Sequence, residues 1–520
     1  SSNFDRKTQR RSFLVMEPQS SQGSHQPAME IQGALETIYA KGSGWFLFRG
    51  TVVACVASMM MSVETNMITF LTYCSEDQWD LGSVAGDVLV VCIVFGIMMG
   101  TLVFSPLGDI CGRRAIIFFS TACLVVFGIV SAWAPSFWIF VVLRTCVGFF
   151  EGAWTVALSY ILELVPTETR GRFTMCANVA WGFGSVFVAA LAWLVIPTLG
   201  WRWFTSLSML PFAVNLVPLY LLPESPRWLL SQDREEDALA SLAYIAKTDG
   251  CEMPCSELIP TAQDIFDADI PREERTFGFY VKRMWSSYRE LLSPELRWLT
   301  LRVWAAISFI IGGYAALVMF DVDVLSEELG LDVYSATYAV LEKVLHLSPR
   351  SVGHAPKSVS LLSGSAGSTC TFEYEFILWV ATSEILGAVL MMPFIDRPNL
   401  IVGGGRVGSQ VVSYALATIA AVVCGYDVPG RLVFAYAARG LACGGSGVLM
   451  IQIPELYNTA QRVTAVGASS IASYPGLGIA TAIVYSGWSD SAMMWIAAIA
   501  LACGLGFTAC LPETAEQKLD

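Results

Sequence analysis

Long stretches of the chain carry no charge at all. Uncharged runs cover Ala115 to Leu143, Phe173 to Trp201, Trp203 to Pro223, Val407 to Tyr426, Val463 to Ser489 and Ser491 to Pro512. Each supplies the ~20 residues that a helix rising about 1.5 Å per residue needs to cross a hydrocarbon core about 30 Å thick. A helix also satisfies every backbone polar group within its own segment, which lipid requires. Six further stretches are slightly short or carry at most two charges: Thr51 to Tyr73, Val88 to Pro106, Ser136 to Leu162, Trp298 to Phe320, Phe376 to Ile395 and Leu432 to Ile453. The pattern predicts an all-α membrane protein with twelve transmembrane helices, arranged as six, a long polar segment, and six.

Composition agrees with lipid as the solvent. Of 520 residues, 55% are hydrophobic and 14% charged, against about 25% charged in an ordinary soluble domain. Short-loop charge orients the bundle. Arg6, Lys7, Arg10, Arg11, Lys41 and Arg49 precede the first span, and Arg113, Arg114, Arg170 and Arg172 fall in later turns on the same side, whereas "SEDQWD" between spans one and two has three acids and no base. The N terminus, the central loop and the C terminus are therefore expected in the cytoplasm. The predicted organisation is a tail over 1–46, a six-helix bundle over 47–223, a linker with short helices over 224–297, of which the amphipathic "DREEDALASLAYIA" is expected to lie across the inner face as a bracket between the halves, a second bundle over 298–512 with an outer loop at 321–374, and a tail over 513–520. The net charge of −13 is spread over loop acids and gives no support to nucleic-acid binding.

Most of the fourteen cysteines, such as Cys55, Cys123 and Cys443, fall inside apolar runs, where they act as small packing residues. Cys74 and Cys370 are both expected outside, which leaves a bridge between them open. With three histidines in the chain, no metal site and no cofactor are expected.

The chain also repeats itself. "LELVPTETR" near Glu163 matches "PELYNTAQR" near Glu455 at a spacing of 292 residues; Pro223-Glu224 matches Pro512-Glu513 at 289; Asp109 in "GDICGRR" matches Asp396 in "FIDRPNL" at 287. Arg144 and Arg439 form a looser pair. Three landmarks in register describe one six-helix unit used twice in the same orientation. After Asp396-Arg397 the second copy runs "PNLIVGGGR", with Pro398 and a glycine run where the second basic cluster is expected. That copy reads as eroded, and the latch it forms as lopsided toward Arg113.

These motifs, with "RTCVG", "LPESPRWLL" and the final "LPET", resemble the signature set of the major facilitator superfamily. Within it the chain is similar to the branch of sugar porters, organic-ion transporters and synaptic-vesicle-two-related proteins, the last through "LAWLVIPTLGWRW", "GCEMP", "SPELRWLTL" and "ILWVATSEILG". The resemblance runs from about Ala34 to the C terminus. It implies two parallel six-helix repeats, solute binding between them, and gating by charges at the helix ends: Asp109, Arg113, Glu163, Arg170, Glu455 and Arg462. A plainer reading is that these residues set topology and snorkel to the interface.

Charges within the spans are few: Glu64, Arg144, Glu151, Arg302, Glu384 and Arg439. An ionisable residue near the bilayer centre costs about 2.5 to 3.5 kcal/mol on insertion scales and is a functional candidate by default. Arg302 lies near a span end and can snorkel. Arg144, Gly148, Glu151 and Thr155 share one helical face. Two readings stay open: a buried ion pair that fixes packing, of Glu151 with Arg144 or of Glu64 with a neighbour, or a glutamate that faces the cavity and exchanges a proton or holds a cation. The resemblance supports Glu64, which aligns with an acid of the synaptic-vesicle-two-related group. It gives that group an apolar or small residue at Glu151 and an acid at Met61. Tyr160, Trp181, Tyr314, Trp379 and Tyr474 are placed either to stack on a ligand or to pack.

No Walker loop, Gly-x-Ser-x-Gly elbow or His-Glu-x-x-His motif occurs, so neither an enzyme nor an ATP-driven pump is expected. The reading is a monomeric transporter of a small organic solute, an organic ion or similar metabolite, with protons as the candidate coupling ion, in the plasma membrane or a vesicle or other endomembrane. A non-transporting vesicle protein with a binding or structural role is the alternative.

Overall fold

The computed structural model describes residues 28–79, 84–166, 170–259, 277–323, 374–397, 403–426, 431–457, 459–485 and 490–515. Its first half contains the spans Trp45–Trp79, Val84–Cys111, Arg113–Ala132, Phe137–Glu151 continued by Trp154–Leu164, Arg170–Leu199, and Trp201–Ser208 continued by Leu210–Tyr220. The second half contains Arg297–Asp323, Tyr374–Met391, Gly405–Gly425, Arg431–Glu455, Thr459–Tyr485 and Asp490–Ala509. Ten of these are long and apolar enough to cross a membrane. The eighth is a shorter apolar helix, and the eleventh has the length but is diluted by serine, threonine and glycine. The molecule is thus an all-α, twelve-helix, multi-pass membrane protein.

Glycine sets the closest packing. On the eighth and tenth spans, a Cβ added at Gly387 would collide with the Gly440 carbonyl, one at Gly440 with the Ser383 carbonyl, and one at Gly444 with the Gly387 carbonyl. The second and fourth spans repeat the device: Gly96 and Gly100 lie against the Thr145 and Phe149 carbonyls, and Gly148 and Gly152 against Ile93 and Ile97. Lipid gives helices no hydrophobic reason to associate, so small residues four apart let backbones approach and gain dispersion contact. The fourth span is interrupted directly after Glu151, at Gly152 and Ala153. The sixth is interrupted at Met209, where Pro211 brings no N–H to the ladder.

Between the halves, the fifth span packs on the eighth and the second on the eleventh. Fifth-span Gly182 faces the backbone of Glu384 and Ile385, while Gly184 faces Met59 and Ser62 of the first span. The fifth helix is therefore wedged between its own half and the other.

Two expectations about the polar segments change. Residues assigned to the N-terminal tail form a helix, Ile31–Lys41, whose Ile31, Ala34, Leu35 and Ile38 are buried against linker helix Glu235–Asp249. A two-residue parallel ladder, Ala28 with Glu257 and Met29 with Leu258, ties the same segments. The linker helix does not bracket the halves; Tyr244, Ser241 and Asp249 bond to Leu221, Glu224 and Phe46 of the first half. The helix that touches both halves is Phe277–Leu291, against the second and eleventh spans. Cys74 is disulfide-bonded; Cys370 and most of the outer loop lie outside the described residues.

Gly387→Val is expected to force the eighth and tenth spans apart and cost about 1–3 kcal/mol. A lower thermal midpoint in detergent checks this, with Gly478→Val, which meets nothing within 4 Å, as the neutral control.

Candidate functional site

A cavity of about 270 Å³ lies between the halves. The first half lines it with residues such as Asn66, Trp154, Asn178 and Trp181, the second with Tyr314, Ser446, Ser470 and Tyr474. Among the described residues, no aspartate, glutamate, lysine or arginine lines it. The polar groups on its wall are hydroxyls and amides, and four aromatic rings supply flat apolar faces. Met61, where the resembling group carries an acid, is on this wall.

The buried charges sit behind the wall in two clusters. Arg144 Nη1 donates to Glu64 Oε2 at 2.9 Å, with both side chains almost fully buried, and the guanidinium lies 5.8 Å from the Phe140 ring. Arginine on the fourth span thus pairs with the glutamate of the first span, not with its own helical neighbour Glu151, which is buried beside them. In the second cluster Glu384 Oε1 accepts from Arg439 Nε at 3.0 Å and Nη2 at 2.7 Å, and from Tyr314 at 2.5 Å. Glu384 Oε2 accepts from Ser185 Oγ of the fifth span at 2.6 Å. Ser185 also meets Ser62 Oγ at 2.8 Å and Asn66 Nδ2 at 3.1 Å. A continuous chain of hydrogen bonds therefore runs from Asn66 on one cavity wall to Tyr314 on the other, crossing between the halves at Ser185.

Sequence reasoning missed Ser62, Asn66 and Ser185, since single small polar residues in apolar helices are common and only the crossing of spans brings these together. Of the aromatic candidates, Trp181, Tyr314 and Tyr474 line the cavity. Tyr160 lies elsewhere and donates to the Pro223 carbonyl at 2.7 Å, and Trp379 stacks on Tyr436 at 4.4 Å between centroids.

At the linker end of the bundle, the two sequence repeats fold into matching clusters. In the first, Arg113 pairs with Glu163 at 2.9 Å and Ser225 donates to Glu163 at 2.5 Å, while Glu224 accepts the Arg114 backbone N–H at 3.1 Å. Burial pushes the Glu224 carboxyl up from its usual range, opposed by the N–H groups of Arg114 and Ser225. In the second, Arg406 holds Glu455 through Nη2 at 3.0 Å and Nε at 3.1 Å, and Asp396 at 2.7 Å. Thr514 donates to Glu455 at 2.7 Å, and Glu513 caps the ninth span through the N–H groups of Arg406 and Val407 at 2.7 and 2.9 Å. Gly112, just before the third span, and Gly405, the first residue of the ninth, have φ of 99° and 76°, a region that favours glycine, and a Cβ at either would meet the capping carboxylate.

The second motif is therefore not eroded. Arg406, ten residues past Asp396, fills the place that the sequence reading left empty, because the start of the ninth span lies beside Asp396. Both clusters staple helices within their own half; the contact across halves is Arg172 with Asp396 at 3.5 Å, beside Gly171, whose missing side chain leaves room for Asp396 and Arg406. The side chains of Asp109, Arg170 and Arg462 lie outside the described residues.

The sequence profile of sugar (and other) transporters matches residues 37–330. The chain belongs to that family. Among relatives, it is 27% identical over 443 residues to the synaptic vesicle 2-related protein of Xenopus laevis, covering 85% of this chain and 72% of the other. To organic cation/carnitine transporter 7 of Arabidopsis thaliana it is 26% identical over 455 residues, covering 84% of each. Among solved structures, the major facilitator proton:xylose symporter XylE bound to 6-bromo-6-deoxy-D-glucose superposes with a TM-score of 0.59 at 18% identity, covering 92% of this chain and 98% of that one. An inward-open form of XylE from E. coli gives 0.57. The twelve-helix architecture is thus the major facilitator fold, and the chain is a membrane transporter of the branch holding sugar porters and synaptic-vesicle-2-related proteins.

Arg406→Gln is expected to cost about 3–5 kcal/mol, because it leaves Glu455 and Asp396 as uncompensated buried acids. Arg172→Gln, at an arginine side chain 56% exposed, is expected to cost less than about 1 kcal/mol. Thermal midpoints of the two variants measured side by side check the contrast.

Proposed function

We propose that the protein is a secondary transporter that carries a small organic solute by alternating access, binding it between the halves and using protons as the coupling ion. The observation that supports this best is the cavity itself, walled by both halves and joined across them by the hydrogen-bond chain through Ser185. A solute that contacts Asn66 and Tyr314 at once touches both ends of that chain, so binding is felt at the contact between halves. Wall chemistry favours a small solute with hydroxyl or amine groups and one flat apolar face. The family and both relatives, one of them named for organic cations and carnitine, agree with an organic cargo without choosing one.

The helix-end clusters suit the gating role. Each holds one half rigid, and the Arg172–Asp396 contact between them is exposed on one side and weak enough to break during a cycle. Basic residues at the linker end support a cytoplasmic position for that end and for both termini, in a plasma membrane or an endomembrane such as a vesicle. The non-transporting alternative loses the support it drew from a missing second motif, since Arg406 supplies that motif.

A thermal-shift screen of the purified protein against polyols, organic cations and aromatic acids is expected to give a hit, since a ligand at about 100 times its Kd adds ~2.7 kcal/mol. Uptake of that compound into proteoliposomes is expected to be lost in Ala315→Trp, which fills the cavity wall, in a variant that still folds. A hit that binds but is never taken up would favour the non-transporting alternative.

A further inference from the structure

The two buried charge clusters differ in one respect. In the Glu384 cluster both carboxylate oxygens are filled by donors from Arg439, Tyr314 and Ser185. In the Glu64 cluster four buried polar atoms have no hydrogen-bond partner: Glu64 Oε1, Arg144 Nε, Arg144 Nη2 and Glu151 Oε1. Orphaned groups in a low-dielectric interior are costly, and a protein that leaves several in one place commonly uses the place for chemistry or for a small species that comes and goes.

Charge counting says which species. Two carboxyl groups, Glu64 and Glu151, face one guanidinium, Arg144. Arg144 is committed to Glu64 at 2.9 Å, so an ionised Glu151 would be an uncompensated charge in the interior, a state that buried groups escape by neutralising. Among the described residues the surroundings offer no other cation. The second span presents Thr101, whose hydroxyl bonds the Gly152 carbonyl at 3.4 Å, and the third presents the rings of Phe119 and Phe127 against Phe150. From the other half, Tyr474 lies within electrostatic reach of Glu151 and lines the cavity.

We propose that Glu151 is a proton-binding site, carrying an exchangeable proton between the Glu64–Arg144 pair and the cavity wall. This rests on the transporter reading only for the use made of the proton. Glu151 takes the proton from water on one side of the membrane, becoming a neutral carboxylic acid, and returns it to water on the other as the carboxylate reforms. The break in the fourth span directly after Glu151 lets this turn shift without unwinding the helix that holds Arg144, and Tyr474 links the shift to the opposite half.

Infrared spectroscopy of the full-length protein in lipid, without solute, tests the site. At neutral pH the wild type is expected to show the carbonyl stretch of a protonated carboxylic acid, moving to lower wavenumber in D2O. That band is expected to vanish in Glu151→Gln and to persist in Glu384→Gln. It is also expected to vanish in Glu64→Gln, because Arg144 then pairs with Glu151; if Glu151→Gln fails to reconstitute, Glu151→Asp decides the matter by displacing the band. Absence of the band in the wild type, or its survival unchanged in Glu151→Gln or Glu64→Gln, overturns the proposal. The band present without any solute uptake would sink the transporter reading and leave the proton site standing; uptake without the band would do the reverse.

Discussion

A polar atom that this chain carries into lipid is costly unless it finds a partner inside the protein. That constraint explains most of the architecture. Backbone groups meet it by helix formation, span after span. Charged side chains meet it in pairs brought from different helices: Arg144 of the fourth span with Glu64 of the first, Arg439 of the tenth with Glu384 of the eighth. Each pair fixes which helices must be neighbours, because separating them would leave a bare charge in a medium that cannot solvate it.

With charge pairing deciding who the neighbours are, glycine decides how near they come. Ser383, Gly387, Gly440 and Gly444 on one helix pair, and Gly96, Gly100, Gly148 and Gly152 on another, let backbones touch. Such close, rigid contacts make each half a body that moves as a unit. Between the bodies the polar ties among the described residues include the Ser185 hydroxyl on Glu384, the Asn178 amide on the Cys443 carbonyl and an exposed Arg172 near Asp396. Stiff halves with few polar links between them are the mechanical requirement for a cavity that opens first to one side and then to the other.

The repeated motifs have one shared physical task. A carboxylate, Glu224 or Glu513, caps a helix that starts at a glycine of positive φ, and a neighbouring arginine, Arg113 or Arg406, binds the glutamate of the next helix. Negative charge at a helix N-terminus meets unpaired N–H groups and the positive end of the dipole. The near-identical "LPES" and "LPET" segments are therefore caps, one for each half.

Spans, their number, the two-fold repeat and the charges inside the spans were legible in the sequence, because a bilayer enforces length and apolarity residue by residue along one helix. Partner choice was not. That Glu64 rather than Glu151 takes Arg144, that Arg406 rejoins Asp396 across an intervening loop, and that Ser185 bridges the halves all depend on where different helices cross, and crossings are set by side-chain packing far apart in the chain. The sequence also placed acids at mid-depth without showing that they stand behind the cavity wall. Depth in the membrane follows from position along a helix; facing follows from the rotation of that helix against its neighbours, which only the folded bundle fixes.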